Sequence, residues 1–261
     1  MTTPDDREPG GVSRYSEARA RILAEDGGGH GGVAGLLHHL CRDLTSSLGV
    51  MGAAVNLMSA SGSDGVAAAS DDHCRDLEEL QFTIGEGPCH EAFTARRPVL
   101  TADLRAAAVR HWPGYASAAL ASGIAAVFAF PLHVGGVGFG VLDVYADKPG
   151  SLRSDQVAMA LTYAQIATEI MLDGDLTTEG GDLEPGLSTA LDYRAEIHQA
   201  QGMLVVDLEV SPAEALTRMR AHSFAHDRPL IDLARDVLGG YRLPAAGLDS
   251  AAEGDGGDDF K

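Results

Sequence analysis

The stretch IAAVFAFPLHVGGVGFGVLDVYAD, residues 124–147, contains two long apolar runs that are rich in valine and aromatic residues. Runs of this composition are typical of β-strands. A Gly135–Gly136 pair separates the runs, and two glycines between strands favour a tight hairpin turn. The stretch is not a phosphate-binding loop, because its glycines do not follow the G-x-G-x-x-G spacing and the turn joins two strands. It therefore predicts a β-hairpin with strands at 124–134 and 137–147.

Further strands and helices are predicted on both sides of this hairpin. The predicted strands lie at 50–60, at 65–70 after a Ser/Gly/Asp turn, and at 98–103. The predicted helices lie at 33–48, 74–81, 88–96, 114–122 and, after Ser154, at 155–172. This order predicts an α+β domain over residues 30–172, with an antiparallel sheet that carries helices on one face. Such a domain has room for a ligand pocket.

A second group of helices is predicted over residues 188–243. The first runs over about 189–206. The second begins at the sequence SPAE from Ser211, a capping box with proline at the first helical position. The third begins near Asp227 and ends at the Gly239–Gly240 pair. These residues predict a small all-α three-helix bundle.

Polar segments surround the two predicted domains. We expect residues 1–29 to be a disordered N-terminus, 173–187 an acidic linker and 244–261 a disordered acidic tail. The chain shows no signal peptide and no apolar run of membrane-spanning length. Its three cysteines are too few and too scattered for a disulfide framework. We therefore expect a cytoplasmic protein that makes no membrane contact.

The net charge of −19 excludes one class of nucleic-acid binder. A protein that coats nucleic acid without specificity needs many lysines and arginines to neutralise phosphates. Nearly half of the negative excess lies in the predicted linker (−5) and tail (−4). Residues 188–243 carry six basic side chains, all arginine, against eight acidic ones. A few placed arginines can still bind a specific nucleic acid.

One glycine in the first helix of the bundle needs an explanation. The stretch AEIHQAQGMLVV, residues 195–206, has Ile197, Ala200 and Leu204 on one face of a helix. Gly202 lies in its middle, where glycine costs roughly 1 kcal/mol relative to alanine. Its bare Cα allows close approach either of a neighbouring helix or of a partner molecule.

The sequence offers weak support for catalysis or metal binding. Cys89 lies at the start of a predicted helix, where the helix dipole lowers the pKa of a thiol, although such a cysteine is more often a small buried side chain. His222 and His226 have i, i+4 spacing, but two nitrogens alone make a weak metal site. Glu78 and Glu79 are predicted to be solvated. We therefore expect no enzyme activity, no metal and no cofactor.

Residues 33–172 resemble a GAF domain, a small-molecule sensor module. The resemblance rests on LQFTIGEGPCHEAF (80–93), on PVLTADL (98–104) and on AVFAFPLHVGGVGFGVLDVYAD (126–147). It implies a domain that binds a small-molecule ligand or another signal. Cys89 of the GEGPC segment is a weak candidate ligand contact.

Residues 188–243 resemble an ANTAR domain, a three-helix RNA-binding module of transcription antiterminators. The resemblance covers all three predicted helices, from RAEIHQAQGMLVV to PLIDLARDVL. It implies binding to paired stem-loops in nascent mRNA, which prevents formation of a terminator hairpin. The chain is thus identified as a GAF–ANTAR transcription antitermination regulator.

The resemblance also implies candidate RNA contacts. The family's first helix carries Ala-Lys-Gly where this chain has Ala200-Gln201-Gly202, so an amide replaces the lysine charge. RNA loops are bound through splayed bases, by stacking and by hydrogen bonds to base edges. We expect Gln201 to bind a base edge and Gly202 to allow close approach. The other candidate contacts, for phosphates or base stacking, are Arg220, Arg228, His198 and Arg194.

Two other functions stay open at this point. A GAF-fold thiol enzyme of the sulfoxide-reductase kind would use Cys74 or Cys89. A protein-interaction module with a helical adaptor would need neither a thiol nor RNA. For the regulator we expect a homodimer, in which ligand binding shifts the population of its arrangements. The signal would then be coupled either by dimerisation through the 155–172 helix or by exposure of the RNA-binding domain.

Overall fold

The computed structural model describes residues 9–24, 32–59, 62–108, 111–173, 185–226 and 228–244. The chain divides into two compact units, Met1–Arg194 and Ala195–Lys261. The strands are β1 (Gly52–Ser59), β2 (Gly62–Ala69), β3 (Val99–Thr101), β4 (Ala126–Val134) and β5 (Val137–Ala146). The helices are α1 (Pro9–Ala24), α2 (Val33–Leu48), α3 (Asp72–Ile84), α4 (Pro88–Ala95), α5 (Leu104–Ala108), α6 (Pro113–Ala121), α7 (Ser154–Asp173), α8 (Pro185–Leu208), α9 (Pro212–Ala225) and α10 (Leu230–Leu238).

The first unit is built on a five-stranded antiparallel sheet with the order β2-β1-β5-β4-β3. The predicted hairpin forms β4 and β5, and its turn lies at Gly135–Gly136. Gly135 has φ +56, in the left-handed region that glycine adopts without strain. Strand β2 begins at Gly62, inside the segment that we predicted as a turn. The α+β prediction for this unit is confirmed.

Helices cover both faces of the sheet, so the prediction of helices on one face is wrong. Helices α1, α2 and α7 pack on one face, where the buried side chains include Leu37, Phe128 and Val144. Helices α3 to α6 lie over the other face, whose core includes Leu77 and Tyr145. The composition of β4 explains why helices cover both faces, because its first five residues, AVFAF, are all apolar. The first five residues of β4 are all buried, and strands buried on both faces lack polar alternation.

The N-terminal segment contains a helix that the sequence prediction missed. Residues 9–24 form α1, although we expected disorder over 1–29. Ala18 is 3% exposed and Ile22 is 1% exposed, and both belong to the core beneath α2 and α7. Tertiary burial of this apolar stripe outweighs a weak local preference for helix. Residues 1–8 and 25–31 lie outside the described part of the chain.

The three predicted helices are α8, α9 and α10, and the second unit contains α9, α10 and the part of α8 that follows Arg194. Its core is formed by one face of α8 together with α9 and α10, and includes Ile197, Leu204, Met219 and Leu233. Helix α9 starts as predicted, with the Ser211 hydroxyl accepting a hydrogen bond from the backbone N–H of Glu214. Helix α8 begins at Pro185, inside the predicted acidic linker. The rest of that linker, 174–184, and the tail beyond residue 244 lie outside the described residues.

Candidate functional site

The middle of α8 brings three of the predicted RNA contacts together. The Gln201 amide donates from Nε2 to the Pro212 carbonyl at 2.7 Å, and its Oε1 lies 3.0 Å from His198 Nδ1. Because a carbonyl only accepts, this arrangement places the amide oxygen toward the histidine. The Nδ1 atom of His198 then carries the proton. Gln201 therefore joins α8 to the start of α9 and also orients the His198 ring.

The position next to Gln201 faces open space. A Cβ built on Gly202 would have no described atom within 4 Å, apart from its chain neighbours and its own helix backbone. The residue is exposed, whereas Ala200 and Leu204 on either side are buried. Packing of another described helix of this chain therefore does not account for the glycine. The bare helix surface remains available to a partner molecule.

The three predicted arginines lie in different surroundings. Arg228 is exposed and pairs with Asp236 across 2.7 Å, which raises the pKa of the guanidinium above its ordinary value. Arg220 is half-buried on α9. Arg194 is 2% exposed in the first unit, where its guanidinium lies 3.1 Å from the Glu79 carboxylate and 3.2 Å from the centre of the Phe82 ring. The Arg194 guanidinium therefore contacts Glu79 and Phe82 and is not exposed for RNA binding in this structure.

The second unit also exposes apolar and aromatic side chains that the sequence analysis did not propose. Phe224 is 85% exposed on α9, and Val206 is 75% exposed on α8. The rings of His222 and His226 stack with centroids 4.1 Å apart, and Tyr241 lies 6.0 Å from His222. Burial, with His226 and Arg228 nearby, lowers the pKa of His222, so its ring is neutral at neutral pH. Their i, i+4 spacing thus produces a ring stack, and exposed rings are surfaces on which RNA bases stack.

The interior of the first unit holds a cluster of polar side chains, which we call the interior cluster: Asn56, Glu78, Gln81, Cys89, Asp143 and Tyr145. Glu78 is 1% exposed, which corrects the prediction that it is solvated. It faces inward because it shares the buried face of α3 with Cys74, Leu77 and Gln81. Its carboxylate accepts hydrogen bonds from Tyr145 at 2.6 Å, from Gln81 at 3.0 Å and from Asn56.

Burial changes the titration of the interior cluster. Burial raises the pKa of Glu78 to about 7, against the opposing effect of its three hydrogen bonds. Burial and the neighbouring Glu78 carboxylate raise the pKa of Asp143 well above its ordinary value. The pKa of Cys89 is likewise raised by burial and by Asp143 and Glu78. The expectation that a helix dipole lowers the pKa of Cys89 is therefore wrong, because desolvation outweighs it.

Comparison with known families decides what the first unit is. Residues 32–171 match the GAF domain model, and this match spans more than half of the chain. The chain belongs to the GAF domain family. The GAF match is followed by a match of residues 186–238 to the ANTAR domain model. The domain order is therefore that of a GAF–ANTAR regulator, as the sequence predicted.

Several solved structures resemble the chain at low sequence identity. The GAF domain of a phosphoenolpyruvate-protein phosphotransferase from Coxiella burnetii is 14% identical with a TM-score of 0.47, over 62% of this chain and 95% of that one. Its counterpart from Acinetobacter is 10% identical with a TM-score of 0.46, over 66% and 96%. A type II free methionine-R-sulfoxide reductase from Thermoplasma acidophilum is 17% identical with a TM-score of 0.40, over 61% and 96%. Among curated proteins, none matches the sequence significantly.

The cysteines of this GAF domain do not have the properties of catalytic thiols. Cys41, Cys74 and Cys89 are all buried and form no disulfide. Burial raises the pKa of Cys74 to about 12, and it raises the pKa of Cys41 as well. A nucleophilic cysteine needs an accessible thiolate near neutral pH. The thiol-enzyme interpretation therefore has no support from the geometry of these residues.

Proposed function

We propose that this GAF–ANTAR protein is an RNA-binding transcription antitermination regulator whose GAF domain senses a small molecule or signal. The observation that carries the proposal is the ANTAR domain match over residues 186–238, which follows the GAF match along the chain. Its RNA partner is a pair of stem-loops in nascent mRNA, and it acts in the cytoplasm. None of the described helices is long and apolar enough to cross a membrane.

The exposed surface of α8 at Gly202 is the proposed centre of RNA contact. The open space at Gly202 supports close approach of an RNA backbone or base. His198, held by the Gln201 amide, presents its imidazole edge on the same helix. In this proposal Gln201 positions α8 against α9 as well as replacing the family lysine. Arg220 and Arg228 supply positive charge, whereas burial gives Arg194 no direct part.

Base stacking is the proposed source of much of the affinity. Phe224 and the His222–His226 ring pair are exposed or partly exposed in the second unit. Stacking of one base on an aromatic side chain contributes about 1–3 kcal/mol. A domain with six arginines and eight acidic residues over 188–243 has little bulk charge with which to bind phosphates. Shape and stacking are therefore expected to dominate over counterion release.

Signal transfer in this proposal uses a homodimer formed through α7. Leu161 is 46% exposed and Leu172 is 57% exposed on this helix. Eleven residues separate them, about three helical turns, so they share one face. A ligand that binds one arrangement of the dimer better than another would shift its population.

Selection from an RNA pool tests the proposed function. Full-length protein is used to select from transcripts that carry two hairpins with randomised loops, and the selected RNA is then compared with a loop-scrambled version. We expect the selected RNA to bind at least about tenfold more tightly at cell-like ionic strength, which corresponds to roughly 1.4 kcal/mol. We also expect a weak salt dependence, because few phosphates are neutralised. Equal affinity for the two RNAs would contradict the proposal.

A further inference from the structure

Three side chains with metal-ligating atoms converge inside the GAF domain. They come from three elements, Glu78 from α3, Cys89 from α4 and Asp143 from β5. One donor atom from each lies within 4.8 Å of the other two. All three side chains are at most 2% exposed. Two carboxyl groups and a thiol in such proximity are costly to bury unless a positive charge or protons offset them.

Part of this cluster is left without hydrogen bonds. Both carboxylate oxygens of Asp143 and the amide oxygen of Asn56 are buried and receive no hydrogen bond of normal geometry from the described residues, although the Cys89 thiol and the Asn56 side chain lie beside Asp143. Asp143 is 0% exposed and Asn56 is 2% exposed. Buried polar atoms in folded proteins are nearly always paired. These oxygens carry lone pairs, so the partner that they lack is a proton donor or a cation.

The Glu78 carboxylate is held in place but retains capacity to bind. Its Oε1 accepts from Tyr145, and its Oε2 accepts from Gln81 and Asn56. All three donors are uncharged, so they orient the carboxylate without neutralising it. A carboxylate offers about four lone-pair positions, which leaves one on Oε1. Hydrogen bonds of this kind are typical of the groups that orient a metal ligand from outside.

The donor set selects a class of cation. Mg²⁺ and Ca²⁺ bind oxygen ligands and do not favour a thiolate. Zn²⁺ and Fe²⁺ accept carboxylate oxygen and thiolate sulfur together. Tetrahedral zinc–ligand distances of about 2.0–2.3 Å imply donor separations of roughly 3.4–3.7 Å. Because the donor atoms lie within 4.8 Å of one another, no pair needs to close by more than about 1.5 Å to reach these separations.

We propose that Glu78, Cys89 and Asp143, with the amide oxygen of Asn56, bind a divalent transition-metal ion of the Zn²⁺ or Fe²⁺ class. Three deprotonated ligands and one divalent ion carry a net charge of −1, so binding the ion releases the protons that the metal-free cluster holds. The ion joins α3 and α4 to the central strands β1 and β5. As the ligand of the proposed sensor it rests on the proposed function, but metal binding itself does not depend on RNA.

Cobalt is the probe for the test. Chelator-treated full-length protein is titrated with Co²⁺, whose bond to a thiolate produces an ultraviolet charge-transfer absorption. We expect this absorption to saturate at one Co²⁺ per chain and to disappear when Zn²⁺ is added in competition. If the protein shows this absorption but does not bind hairpin RNA, the proposed function is contradicted and the metal site is still supported.

Matched variants locate the site. We expect Cys89→Ala to abolish the charge-transfer absorption and Asp143→Asn to weaken Co²⁺ binding by more than about 100-fold. Cys74→Ala removes a buried thiol outside the cluster and should leave both the absorption and the affinity unchanged. Circular dichroism checks that each variant folds, and Asp143→Asn, which keeps the side-chain shape, replaces Cys89→Ala if that variant unfolds. No saturable absorption, or equal loss in Cys74→Ala, would overturn the proposal.

Discussion

Replacing Gly202 with alanine is expected to weaken RNA binding while making the helix more stable. Alanine in mid-helix is favoured over glycine by roughly 1 kcal/mol, and no described atom beyond the local helix would meet the new Cβ within 4 Å. We therefore expect Gly202→Ala to raise the melting temperature and to weaken RNA binding about tenfold. Gly202→Met, whose longer side chain covers the same surface, should weaken it by more than about 100-fold, or roughly 2.7 kcal/mol. Melting curves and gel shifts on full-length protein measure the two effects.

A matched variant separates stability from recognition. Asp207 is exposed on α8 and lies about 140° around the helix axis from Gly202. Asp207→Glu improves helix propensity and keeps the charge, so it should stabilise the helix slightly and leave RNA binding unchanged. Unaltered RNA affinity in Gly202→Met would show that this surface is not the contact.

Gly140→Ala is expected to cause a large loss of stability in the GAF domain. A Cβ at Gly140 would lie 2.5 Å from the Asn56 backbone oxygen and 3.2 Å from the Leu132 side chain. The backbone oxygen cannot move without disturbing the pairing of β1 with β5, in which Asn56 faces Val141 and Leu57 faces Gly140. Overpacking of this kind costs about 1–3 kcal/mol, and we expect the upper end of that range. Urea unfolding of full-length protein, followed by the fluorescence of Trp112, measures it.

The hairpin turn provides the control for Gly140→Ala. Gly136 lies in the turn between the same two strands, and a Cβ there would meet only the Arg96 guanidinium, at 3.8 Å. We therefore expect Gly136→Ala to change the free energy of unfolding by less than about 0.5 kcal/mol. Similar midpoints for the two variants would contradict the close approach of β5 to β1. Because Asn56 also belongs to the interior cluster, Gly140→Ala should weaken Co²⁺ binding as well.

Local patterns predicted much of the fold. Apolar runs rich in valine and aromatic residues on either side of the Gly135–Gly136 pair predicted β4 and β5, and the SPAE sequence from Ser211 predicted the start of α9. These features depend on residues that are neighbours along the chain. Helix α1 was missed because its order depends on burial of Ala18 and Ile22 against distant helices.

The interior cluster could not be predicted for the same physical reason. Glu78, Cys89 and Asp143 lie on three different elements and follow no metal-ligand spacing, and only the packing of α3, α4 and β5 brings them together. Glu78 looked solvated beside Glu79, although its i, i+3 and i+4 relation to Gln81, Cys74 and Phe82 places it on the buried face of α3. That periodicity was the available signal. For Glu78, the position around the axis of α3 therefore indicates burial better than the charge of the side chain does.

The surface at Gly202 was identified because a glycine occupies the middle of a helix. A glycine in an amphipathic helix contradicts helix propensity, and such conflicts concentrate at functional or strained positions. The sequence left two explanations, and the open space found at this position removes packing by another described helix of the chain. The hydrogen bonds of Gln201 to Pro212 and His198 were not predictable, because they depend on how α9 packs against α8.

Ultraviolet crosslinking in living cells tests most directly whether this GAF–ANTAR protein binds transcripts. Full-length protein and its Gly202→Met variant are each crosslinked and purified, and the attached RNA is sequenced. We predict that wild-type protein enriches transcripts with two adjacent hairpins ahead of a terminator, and that the variant loses this enrichment. The same transcripts recovered with both proteins, or none recovered above background with wild type, would contradict the account.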